Sequence, residues 1–73
     1  MNLLIISHTP HYRRGTQIVG WGPTVREIDE LAKMFDRVWH LAVLYAEEAP
    51  ASSLPYRANN VSLLPIRPAG GPP

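Results

Sequence analysis

The sequence predicts an α/β fold built on a parallel sheet in the order β-α-β-β, and three observations carry that expectation. Leu3–Ile6 is an unbroken run of four large apolar residues, which suits a strand covered on both faces. From Thr24 to Phe35 the apolar residues recur at helical spacing. Val38–Tyr45, rich in β-branched and aromatic side chains, follows almost at once. Strand, helix, strand is a crossover unit, and its expected hand is right.

The first strand is placed at 2–7, stopping at the polar Ser7-His8-Thr9 and Pro10. Residues 8–23 show no periodicity and read as a loop, long against the roughly 2–6 residues usual between strand and helix. Their Tyr12, Ile18, Val19 and Trp21 argue against plain disorder, and loops of such length are commonly functional. Thr24-Val25-Arg26-Glu27 has capping-box spacing, in which the threonine hydroxyl accepts from the Glu27 amide and the glutamate returns to the Thr24 amide. Val25, Ile28, Leu31, Ala32 and Phe35 form one stripe, with Glu27, Asp29, Glu30, Lys33 and Asp36 mostly off it, so an amphipathic helix is expected over 24–36. The second strand is placed at 38–45, a polar, proline-bearing connection at 46–60, and a third strand at 61–67. Pro65 has no N–H to give a ladder, which puts it near a strand end or on an edge. Residues 68–73 read as loop.

A length of 73 residues allows one small domain or part of one, and a chain this short buries only roughly 60% of its unfolded surface. The absence of cysteine excludes disulfides and cysteine zinc sites. Seven basic against six acidic residues, net +1, is not the balance of a nucleic-acid-binding protein. No apolar run approaches the about 20 residues of a membrane-spanning helix, so no transmembrane segment is expected. The start lacks the basic region of a signal peptide, which makes the cytoplasm the expected compartment. Three strands and one helix would leave one face of a parallel sheet bare. The chain is therefore read as the opening segment of a larger α/β domain, expected to self-associate through that face when alone.

Gly20-Trp21-Gly22 stands directly before the helix. In open α/β sheets ligands bind beyond the carboxyl ends of the strands, near helix N-termini whose free amides favour phosphate or carboxylate. The dinucleotide fingerprint would need Gly or Ala where Val25 stands, and the P-loop lysine is missing, so neither standard nucleotide loop is present. The two glycines can equally do no more than shape a turn. His8, His11, Tyr12, Arg13 and Arg14 lie at or just past the end of the first strand. Paired arginines suit phosphate or carboxylate, and histidine can serve as a general base. With no acidic partner or metal-ligand spacing nearby, a solvated loop is the plainer account of them. Trp21 can stack on a sugar or base, or plug the loop onto the helix. Trp39 and His40 read as strand packing, and Glu47-Glu48 as a solvated turn. No residue is assigned a catalytic role, and no metal or cofactor is expected.

Taken together, Asn2–Ser7, the glycine-bearing loop, Pro23–Ala32, Phe35–Ala42 and Val61–Pro65 resemble the start of bacterial glycosyltransferases of the GT-B fold, in the large retaining "group 1" family. The junction Phe35-Asp36-Arg37-Val38 is similar to the family's L-a-x-x-F-D-x-V pattern. The resemblance implies the amino-terminal part of a GT-B domain, a partial Rossmann-like sheet. It implies an enzyme that, at full length, moves a sugar from a nucleotide-sugar donor to a sugar or lipid-type acceptor, with this segment on the acceptor side. It also implies a phosphate-facing loop, carried over to Gly20, Trp21 and Gly22 leading into Thr24, with Arg13, Arg14 and His8 beside it. The family's loop is tighter and richer in glycine. The family's paired glutamates belong to a donor-binding domain with no counterpart here, so the 73 residues alone are expected to be inactive. Two other readings stay open: a non-catalytic α/β module that folds on a partner chain, and part of another nucleotide-binding α/β enzyme.

Overall fold

The structure, a computed structural model, describes residues 1–68. In chain order it contains β1 (Asn2–Ile6), β2 (His11–Arg14), β3 (Gln17–Trp21), α1 (Gly22–Ala32), β4 (Arg37–Tyr45), β5 (Ser53–Pro55) and β6 (Val61–Ile66). Most of the expected loop at 68–73 lies outside the described residues.

β4 is the spine. β1 pairs with it in parallel from Asn2↔Arg37 to Ile6↔Leu41, and β6 pairs in parallel from Val38↔Val61 to Val43↔Ile66. β2 pairs in parallel with the last two residues of β4. The remaining pairings, β2 with β3 and β3 with β5, are antiparallel. Among the described residues the result is a mixed six-stranded sheet with one helix, 47% strand and 16% helix. This corrects the expected fold class: the chain is not a β-α-β-β Rossmann-like parallel sheet or the opening of a GT-B domain.

The difference originates in residues 8–23. The expected loop is a β-hairpin whose two-residue turn is Gly15-Thr16. Gly15 has φ +63° and Thr16 does not share the positive sign, the pattern of a II′ turn with glycine first. β5 was likewise not expected. It extends the hairpin by pairing Trp21 with Ser53 and Val19 with Pro55.

The helix is also shifted, from the expected 24–36 to 22–32. Pro23 sits in its first turn, where the missing N–H costs nothing and φ is already helical. Trp21 is the N-cap residue and makes no side-chain cap bond, so Thr24 is not the cap. Instead the Gly22 amide donates to the Ser52 carbonyl at 3.0 Å. At the other end the Asn60 side-chain amide donates to the carbonyls of Ala32 (2.9 Å), the last residue of the helix, and of Phe35 (3.0 Å), just beyond it.

α1 packs on one face of the β1-β4-β6 sheet. Ile28, Ala32 and Val38 form the buried cluster, with Leu3, Ile5, Phe35, Tyr56, Ala58 and Val61 against it. Fully burying an aliphatic side chain of this size contributes about 1.5–3 kcal/mol. Leu31, expected in the stripe, is exposed, whereas Asp29, expected off it, is buried. Asp29 is buried because it is satisfied. Its carboxylate accepts from the amides of Arg57 and Ala58, each at 3.0 Å, and from Arg26 at 2.7 Å. It therefore clamps the helix to residues 57–58.

Candidate functional site

The largest buried side chains include two histidines, His11 on β2 and His40 on β4. Their rings meet edge to face, 5.0 Å between centroids. Both reach the hydroxyl of Tyr56, which follows β5: His11 Nε2 lies 2.8 Å from it and His40 Nδ1 lies 2.6 Å from it. At the far ends, His11 Nδ1 is 2.9 Å from the Thr9 carbonyl, and His40 Nε2 is 2.6 Å from Ser7 Oγ. Ser7 Oγ in turn lies 3.0 Å from Thr9 Oγ1. The polar chain thus begins and ends on the short segment Ser7–Thr9, just past β1.

The Thr9 carbonyl fixes the direction of every bond in it. A carbonyl only accepts, so His11 Nδ1 carries the proton and its Nε2 is a lone pair. Tyr56 must then donate to His11 and accept from His40 Nδ1. His40 Nε2 is therefore an acceptor, Ser7 donates to it, and the Ser7–Thr9 pair takes its proton from Thr9. This assignment requires both rings to be neutral, and burial ensures that. It lowers the pKa of His11 despite the opposing bond to Thr9. It lowers that of His40 to about 4, helped by the neighbouring His11. Burial, with the charge of Asp29 behind it, raises that of Tyr56.

Chemically the chain can orient Ser7 and relay a proton between Ser7 and His11. Ser7 and His40 have the contact of a nucleophile and its base. However, an imidazole with so low a pKa is a weak base at neutral pH, and its other nitrogen is held by a phenol rather than a carboxylate. Among the described residues, no group of three His, Cys, Asp or Glu side chains is placed to hold a metal ion.

The residues singled out from sequence are spread over four elements. His8 is exposed in the link from β1 to β2. Arg13 is exposed on β2, in a shallow hollow with Leu44, Tyr45 and Ala46. Arg14 is engaged by carbonyls, donating to Ser53 at 3.2 Å and Pro50 at 2.9 Å. Trp21, at the end of β3, is 50% exposed. Thr24 is half-buried in the first turn of α1.

Gly20 and Gly22 are buried, and both make close approaches. A Cβ on Gly20 would stand 2.7 Å from His11 Nε2, and one on Gly22 would stand 2.9 Å from Leu54 and from the Ser52 carbonyl. Gly20 lies directly opposite His11 in the β2–β3 register, so its missing side chain is the space the imidazole occupies. Sequence reasoning missed Tyr56 and Asp29. The available signal was the pair of histidines within apolar or strand-like surroundings, which need buried partners. The chain matches no family model, no curated protein and no solved structure.

Proposed function

We propose that this chain is the acceptor-side segment of a glycosyltransferase that draws on a nucleotide-sugar donor. The observation that carries the reading is the placement of Ser7, His8 and Thr9. They form the short link between β1 and β2, two strands that both pair in parallel with β4. Hydroxyl and imidazole groups there match the hydroxyls of a sugar or glycolipid acceptor. The half-exposed indole of Trp21 supplies an apolar plate for a sugar ring. The role assigned to the glycines changes: Gly20 and Gly22 serve packing, and the groups left to meet ligand are His8, Thr9, Arg13 and Trp21.

Among the described residues no helix is long and apolar enough to cross a membrane; the cytoplasm is part of this proposal. The test is an amide-resolved titration of the 73-residue chain with octyl glucoside as acceptor mimic and with uridine diphosphate glucose as donor. Octyl glucoside is expected to shift Ser7–Thr9 and Trp21 saturably, and His8→Ala to weaken that response several-fold. No shift in this segment with either probe would overturn the reading.

A further inference from the structure

The face of the β1-β4-β6 sheet opposite α1 is covered by no helix or strand among the described residues. The register puts Leu4 beside Trp39 and Ile6 beside Leu41. It puts Leu41 beside Leu64 and Val43 beside Ile66. These seven apolar side chains form one continuous field across three parallel strands. Leu4 is 56% exposed, Ile6 69%, and Leu64 and Ile66 are also open. A contiguous apolar field on a small protein marks an interaction surface.

We propose that this face docks an amphipathic α-helix of a partner protein, lying antiparallel to β4. This goes beyond the glycosyltransferase reading and does not depend on it. Parallel strands are covered by helices on both faces, and on the other side of these strands the 11-residue α1 packs against Leu3, Ile5, Val38 and Val61.

The charges around the face fix the direction. Arg37, at the start of β4, lies over the Trp39 ring at 4.8 Å and donates to Ser62. Among the described residues it has no carboxylate partner. Glu47 and Glu48 are exposed just past the other end of β4, and neither forms an ion pair among the described residues. A helix dipole is positive at its N-terminus and negative at its C-terminus. An antiparallel helix would set its N-terminus by the glutamates and its C-terminus by Arg37. The nine residues of β4 extend about 30 Å at the rise of a strand, which a helix of about 20 residues spans.

A second copy of the chain fits less well. Sheet-on-sheet packing is not how parallel strands are covered.

The test follows the indole N–H signals of Trp39, on the face, and Trp21, away from it. The first probe is a 20-residue helical peptide with leucines at i, i+3, i+4, i+7 and i+11, lysines in its first turn and glutamates in its last. The second exchanges those charges. The first is expected to shift Trp39 saturably, leave Trp21 unmoved, and bind about five- to ten-fold more tightly than the second. The combined variant Arg37→Glu, Glu47→Lys, Glu48→Lys should reverse that order. If this variant does not fold, the two-peptide comparison on the native chain decides alone. Equal affinity for both peptides, or no Trp39 shift at millimolar peptide, overturns the proposal. So does a concentration-dependent dimer that buries Trp39, or a Trp39 response to phosphatidylglycerol vesicles alone.

Discussion

The two faces of the β1-β4-β6 sheet are built from alternate residues of the same strands, yet they behave as different materials. On the α1 face, Leu3, Ile5, Val38 and Val61 are packed into one cluster, and His40, from the same face of β4, is held in a fully paired polar chain. On the opposite face, Leu4, Ile6, Leu64 and Ile66 are as apolar as their neighbours and largely open. Chemistry along the strand does not distinguish the two sets; what covers each set does. A polar group can be buried where every bond is supplied, as no buried side-chain nitrogen or oxygen among the described residues lacks a partner. An apolar group stays exposed where no cover is present.

The sharpest way to break the closed face is Tyr56→Phe. It leaves the His11 lone pair and the His40 N–H without partners, and each orphaned buried group costs about 1–3 kcal/mol. Denaturant unfolding should show a large drop in midpoint with an unchanged slope. A change below about 0.5 kcal/mol would mean that water already reaches both rings. Next comes Gly20→Ala, whose new methyl meets the His11 ring at 2.7 Å. Overpacking of this kind costs about 1–3 kcal/mol. Gly15→Ala makes a useful contrast, because it meets no atom and suffers only from its positive φ.

Acid should separate the faces without mutation. His40 has a pKa of about 4 when folded, against 6.5 ordinarily, so the unfolded chain binds the proton first. Stability is complete above about pH 6.5 and declines as pH falls toward 4, by at most about 1.4 kcal/mol per pH unit from this residue. His11 acts in the same direction. Unfolding midpoints at pH 7.5, 6 and 5 measure the decline. A flat profile would show the rings to be solvated.

The parts of this fold legible in the sequence are those fixed by local pattern. The apolar runs at Leu3–Ile6, Val38–Leu44 and Val61–Leu64 lie in strands, and the spacing of Val25, Ile28 and Ala32 marks a helix. The hairpin was hidden because His11, Tyr12, Arg13 and Arg14 do not alternate in polarity, although Gly15-Thr16 between them and Gln17-Ile18-Val19 is a recognisable turn. Missing that turn changed the fold class, since a two-residue loop commits its flanks to antiparallel pairing. Thr24 misled for another reason: Pro23 and the Ser52 carbonyl start the helix earlier. Of the candidate site, His8 and Thr9 could be placed at the end of β1. The polar chain could not be found, because Tyr56 comes from 45 residues beyond His11.

The smallest expected effect gives the cleanest comparison of the faces, because it uses two adjacent identical residues. Ile5 and Ile6 differ only in the side to which the strand turns them. Val and Ile share β-branching and strand preference, so Ile→Val removes one methylene and leaves backbone tendencies alone. At Ile5 that group packs against the Ile28–Ala32–Val38 cluster. Its loss should cost about 0.5–1 kcal/mol, the low end for a core Ile→Val change, because Ile5 is only half-buried. At Ile6 the side chain is 69% exposed, and little area is lost on unfolding, so the change should be close to zero. Urea midpoints of the two variants decide it. Equal losses at both positions would mean that the open face is already covered in solution, by another copy of the chain or by the chain itself.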